Sequence, residues 1–179
     1  MIERPLTGEP LPLDLVNTEW MENGERQDAL DTDAGMRAWL AGVALAAPEA
    51  SAYAECRRML YRARKAIRTH LESPMDCDSL NEILAMGRIR RLITADGPAS
   101  VSDVPAAWRP AWEAASAYLD LIAEHPSRIK RCEHPDCILY FLDTSKNGSR
   151  RWCSMQTCGN RAKARRFQDR SRHGFTTSG

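Results

Sequence analysis

The sequence predicts a mostly helical α+β protein: a helical N-terminal domain with a short β-hairpin, followed by a small treble-clef-like zinc finger. Three observations carry that prediction. Apolar residues recur at helical spacing in several stretches of the first 127 residues. Between Arg88 and Val104 the pattern changes to two short β-prone runs around Asp96-Gly97. Near the C-terminus, Cys132, Cys137, Cys153 and Cys158 form two Cys-x4-Cys pairs separated by fifteen residues.

The elements follow in order. After a proline-rich opening, Leu13 to Thr18 is a short apolar segment that fits a helical turn or two equally well as a strand. Asn23-Gly24-Glu25 reads as a turn. Asp31, Thr32 or Asp33 caps a helix through Met36, Trp39, Leu40, Val43 and Leu45, which stops before Pro48. A longer helix spans about Pro48 to Leu71, with Tyr53, Cys56, Met59, Leu60, Ala63, Ile67 and Leu71 on one face. Arg57, Arg58, Arg62, Arg64, Lys65 and Arg68 occupy the remainder. A solvated face is the expected reading of these cations rather than a nucleic-acid stripe. Ser73-Pro74 breaks the helix, and Asp78 or Ser79 caps the next, with Leu80, Ile83 and Leu84 inward. Pro105 opens a last helix of this region, in which Trp108, Ala111, Trp112, Ala115, Tyr118, Leu119 and Ile122 share a face.

Paired thiolates at short, repeated spacing are what a tetrahedral zinc site needs, each pair presenting two sulfurs from a knuckle. One structural Zn2+ is expected. His134, inside the first knuckle, is an alternative ligand that four cysteines make redundant. Ile138 to Leu142 reads as a strand, Asp143 to Gly148 as a turn, and a helix starts around Thr157 to Gly159. So small a segment lacks a sufficient core, and metal binding supplies its folding energy. Cys56 and Cys77 have no neighbours at ligand spacing and read as reduced structural residues.

Net charge of +1 conceals an asymmetry. Residues 128–179 hold 12 Lys/Arg and 4 Asp/Glu, a balance of +8, while residues 1–127 carry −7. With four thiolates on zinc, the module keeps about +6. Segregation of this kind divides the chain at 127/128 and suits the basic part to a polyanion. No apolar cleavable segment opens the chain and no stretch approaches a membrane span, so a cytoplasmic protein is expected, nucleoid-associated if bacterial.

The string from Phe141 through Asp143-Thr144-Ser145-Lys146-Asn147-Gly148-Ser149-Arg150-Arg151-Trp152-Cys153, followed by Cys158-Gly159-Asn160-Arg161, closely resembles the CGNR zinc finger. Leu13-Asp14-Leu15-Val16-Asn17-Thr18 and Trp39-Leu40-Ala41-Gly42 resemble its usual companion, the ABATE domain. The resemblance spans nearly the whole chain. It implies a stress-induced transcription regulator: a DNA-binding finger joined to a mostly helical α/β domain that senses a small molecule.

The DNA contact follows from residue chemistry as well. Arg161 and Arg165 share a helical face, and Lys163, Arg166 and Arg170 form an adjoining one. Lys146, Arg150 and Arg151 in the preceding loop extend the cationic surface. Asn160 and the arginines have the donors to read base edges in a major groove, or to hold phosphates; Asn160 also reads as a bond across the knuckle. Trp152 reads as packing against the zinc core. A small finger buries little DNA, so a homodimer is expected. RNA binding and a zinc-scaffolded protein-interaction adaptor are the alternatives. Catalysis is disfavoured, because a four-cysteine site has no open position and His70, His125, His134 and His173 form no ligand or triad spacing. In the first domain, Asp14, Asn17 and Thr18 are candidate polar groups of an effector pocket walled by Trp20, Trp39, Trp108 or Trp112; helix capping and core packing are the simpler roles.

Overall fold

A computed structural model of the chain describes residues 4–165. Helix α1 (Leu11–Val16) resolves the ambiguity of the first apolar segment. Pro12 sits in its first turn, where a missing N–H costs nothing, and Leu13, Leu15 and Val16 are fully buried. Strands β1 (Glu19–Glu22) and β2 (Glu25–Asp28) then pair antiparallel around Asn23 and Gly24, both at positive φ. The turn was expected; the strands were not.

Helix α2 (Asp33–Gly42) is capped by the Thr32 hydroxyl, which accepts from the Gly35 amide at 3.0 Å. It ends at Gly42 rather than running to Leu45, and Ala44 takes a left-handed conformation just beyond. Helix α3 (Tyr53–Glu72) starts later than Pro48, behind a short 3-10 turn at Ala50–Ala52. Helix α4 (Asp78–Leu84) begins after Cys77 with no side-chain cap, so neither Asp78 nor Ser79 plays the predicted capping role. Strands β3 (Arg88–Thr94) and β4 (Gly97–Asp103) form the expected hairpin, and α5 (Arg109–Glu124) follows a turn that starts at Pro105. In the C-terminal part, β5 (Ile129–Arg131) pairs antiparallel with β6 (Tyr140–Leu142), a shorter strand than the Ile138–Leu142 run implied.

Helices α1, α3, α4 and α5 enclose the main core. Leu13, Leu60, Ile67 and Tyr118 are almost completely buried there, and Ala111, Ala114 and Ala115 let α5 approach closely. Tyr140 of β6 is buried in this same core, with Ile129 and Leu142 packed against it. In return Trp20 of β1 is buried among the cysteines, Leu139 and Phe141. The compositional boundary at 127/128 is therefore crossed by packing in both directions.

The arginine face of α3 departs from expectation. Arg58, Arg62 and Lys65 are exposed, but Arg64 turns inward. It donates to both Asp28 carboxylate oxygens and to the Thr18 hydroxyl. Arg68 donates to the Val16 and Ile138 carbonyls at 3.0 and 3.1 Å. Hairpin β1–β2 supplies Asp28 and Glu19, the acids that make this burial tolerable.

Candidate metal centre and nucleic-acid interface

Each cysteine is delivered by a local device. Cys132 follows β5 directly, its amide donating to Leu139, and Cys137 closes a turn onto the His134 carbonyl at 2.9 Å. The Cys153 amide donates to the Cys132 sulfur at 3.4 Å, joining the two knuckles. Cys158 lies in a wide π-type turn, Met155–Gly159, capped by the Ser154 hydroxyl. A Cβ at Gly159 would sit 2.9 Å from the Met155 sulfur and 3.4 Å from the Trp152 ring, so the turn lies close against both side chains. Residues 160–165 continue as helix.

All four sulfurs are buried and lie within 4.8 Å of one another. Cys137 and Cys153 are 3.8 Å apart, and Cys153 and Cys158 are 3.6 Å apart. Zinc–sulfur bonds of about 2.3 Å in a tetrahedron set sulfurs roughly 3.8 Å apart, whereas a disulfide needs about 2.05 Å. The geometry is that of a metal site. Hydrogen bonds from Cys137 and Cys153 hold Cys132 down to about 2. The hydrogen bond with Cys132, followed by burial, pushes Cys137 up to about 12, and Cys153 and Cys158 are also raised. Hydrogen bonding thus favours the Cys132 thiolate while burial opposes charge on the others, and a divalent ion supplies the positive charge that four thiolates need. One structural Zn2+ fits Cys132, Cys137, Cys153 and Cys158, where it supplies folding energy. His134 is not among these ligands: its Nδ1 accepts from the Asp136 amide at 3.3 Å.

Between the knuckles, Asp143 organises the loop that the sequence showed only as turn formers. One carboxylate oxygen accepts from the Ser145 amide and hydroxyl, the other from Lys130 at 2.7 Å and the Arg150 amide at 3.0 Å. The Lys130 ammonium and the Ser145 hydroxyl hold this carboxyl well below the usual carboxylate range. The Asp-x-Ser spacing, an Asx-turn signature, was the available signal. Gly148, at positive φ, leaves room for Arg128, which donates to the Ser145 carbonyl at 2.8 Å.

The proposed nucleic-acid residues fall into distinct groups. Arg150 points inward, donating to the Trp152 and Cys153 carbonyls and lying over the Phe141 ring. Arg151 is exposed but ion-paired with Glu133, and it covers Trp152. Asn160 donates to the Gln156 carbonyl at 3.1 Å. Lys146, Arg161, Lys163 and Arg165 are exposed. Arg166 and Arg170 lie outside the described residues.

Of the first-domain candidates, the structure joins Asp14 to Trp39, while Asn17, Trp108 and Trp112 are engaged elsewhere. Asp14 accepts from Arg4, Gly8 and the Trp39 indole. Asn17 pairs in both directions with the Tyr140 backbone, at 2.8 and 2.9 Å. Thr18 donates to the Leu15 carbonyl, Trp108 to Glu55 and Trp112 to the Leu84 carbonyl. A cleft of about 410 Å³ is instead lined by Trp20, Met21, Cys137, Cys153 and Arg161, between hairpin β1–β2 and the finger.

Comparison with known families agrees with this architecture. Residues 128–171 match the CGNR zinc finger, and residues 9–125 match ABATE, described as "Putative stress-induced transcription regulator". No curated protein matches the chain's sequence. With the longer match covering well over half of its residues, the chain belongs to the ABATE family and carries a CGNR zinc finger behind that domain.

Proposed function

We propose that the protein is a DNA-binding transcription regulator, without catalytic activity, whose zinc-anchored helix docks on duplex DNA. One observation carries the reading. Arg161, Lys163 and Arg165 are exposed around the helix at 160–165, and none forms an ion pair among the described residues. Many other arginines of the chain are committed to carboxylates or carbonyls. Exposed cations on a helix held at its N-terminal end by zinc suit insertion into a groove. Four sulfurs also close the metal's coordination, which disfavours catalysis there. A stress or small-molecule signal arriving in the helical part has a physical route to the finger through Asn17, which bonds β6 directly.

The test is Arg161→Ala combined with Arg165→Ala. Zinc content is expected to stay at one per chain while duplex affinity falls. If both side chains hold phosphates, the slope of log affinity against log salt drops by about 1.8. Unchanged affinity and slope, or preferential capture by structured RNA at matched salt, overturns the proposal.

A further inference from the structure

We propose that a groove between hairpin β1–β2 and the finger binds a small organic acid, a carboxylate on an apolar body, and that this occupant competes with DNA for Arg161. The groove encloses about 680 Å³, a volume in the range of small-molecule sites. Met21 and Asn23 reach it from the hairpin, His134, Asp136 and Ile138 from the first knuckle and the residue after it, and Arg161 from the zinc-anchored helix. The smaller cleft beside Trp20 shares Met21, Asp136 and Arg161, so the two adjoin.

His134 carries the inference. It is only 7% exposed, and the protein uses one of its two ring nitrogens. Because Nδ1 accepts from the Asp136 amide, the neutral imidazole holds its proton on Nε2. That N–H finds no acceptor among the described residues, yet it is not sealed from the surface. Buried polar groups are normally paired, so an unpaired donor in the wall of a groove marks a place for an acceptor. Arg161 repeats the pattern, with no ion pair and no hydrogen bond among the described residues.

Charge and surface define the occupant. The imidazole N–H, the guanidinium and the Asn23 amide are donors, and the one acid in the lining is Asp136, whose side chain is 78% exposed and screened by water. A carboxylate answers these donors, taking the Arg161 fork with two oxygens and keeping a lone pair for His134. Met21 and Ile138 offer thioether and branched aliphatic surface to an apolar body, which inorganic phosphate would leave wet. The competition rests on the DNA reading. An Arg161 bound to the acid is withdrawn from duplex phosphates, and by linkage DNA weakens the acid by the same factor.

The test titrates the zinc-loaded full chain, without DNA, with acetate, hexanoate, benzoate and 1-naphthoate, following the Met21 methyl resonance and the heat of binding. Saturable binding is expected for at least one of the last three, with acetate weaker and the matching carboxamide about tenfold weaker than its acid. His134→Asn keeps an acceptor for the Asp136 amide and removes the Nε2 donor, while Arg161→Ala removes the cation. Each is expected to weaken binding about tenfold with zinc still at one per chain. Absence of saturable binding by every acid, equal binding of the carboxamide, or an affinity unchanged in both variants overturns the site. With duplex DNA added, the tightest acid is expected to lower the affinity of the parent and not that of Arg161→Ala. An acid that binds yet leaves the parent's duplex affinity unchanged overturns the competition. The first titration contains no DNA, so failure of the site is distinguishable from failure of the DNA reading.

Discussion

In the helical bundle, Leu13, Leu60, Ile67 and Tyr118 lose nearly all solvent contact to one another, whereas the finger's interior is four sulfurs, Leu139, Phe141 and the borrowed Trp20. The first core is large enough to be held by apolar burial; the second is organised by ligand chemistry and by one carboxylate, Asp143. Between them runs a seam of polar bonds from Asn17, Glu9 and Arg68 to the backbone of residues 138–142. The contrast teaches that the two parts respond to different insults while sharing a boundary neither completes alone.

Chelating the zinc should have the largest effect, because structural zinc sites carry about 10–16 kcal/mol of apparent binding energy. Amide exchange is expected to lose protection at β5, β6 and residues 160–165 while α3 and α5 stay helical. A single cooperative collapse of both parts would break the comparison. Leu60→Ala should come next, costing about 2–5 kcal/mol in denaturant unfolding, with zinc stoichiometry still one. Asn17→Ala tests the seam: the buried Tyr140 N–H and C=O both lose their partner, at a cost of about 1–3 kcal/mol. It should weaken the bundle and hasten zinc loss together; an effect confined to one part would show that the seam does not couple them.

The smallest and most local effect is expected from pH at Asp143. Its folded pKa is depressed, so its contribution is present above the unfolded value of about 3.9 and lost as pH falls through the folded one. Asp143→Asn should speed exchange of the Ser145 and Arg150 amides at neutral pH, and the gap to the parent should narrow in acid. Equal exchange in both proteins at neutral pH would remove Asp143 from its organising role.

What was legible in the sequence is what depends on near neighbours. Cysteine spacing specified the metal ligands, and Asp96-Gly97 between β-prone runs marked the exposed hairpin. Strands β1 and β2 escaped because Glu-Trp-Met-Glu and Glu-Arg-Gln-Asp show no apolar alternation, leaving Asn23-Gly24 as the sole hint. That omission concealed the next. Arg64, four residues after Leu60 and three before Ile67, stands at the edge of the apolar stripe of α3 with Arg68 just beyond it, but the acids they meet, Asp28 and Glu19, arrive from the unseen hairpin. Asn17 is harder still, since its partner lies 123 residues away. Arg150 looked like a surface cation because nothing local reveals which carbonyls converge on it.

The bonds to β6 bear on inheritance. Strand β5 covers one edge of β6, and the side chains of Asn17 and Glu9 bond the amides of Tyr140 and Leu142 on the other. A gene rearrangement that carried residues 128–171 alone would deliver a finger with a bare, adhesive strand and a Trp20-shaped hole beside its sulfurs. Shuffling this module into a new protein therefore requires the recipient to supply an amide, a carboxylate and an indole in the same places, which makes the pair, and not the finger, the transferable part.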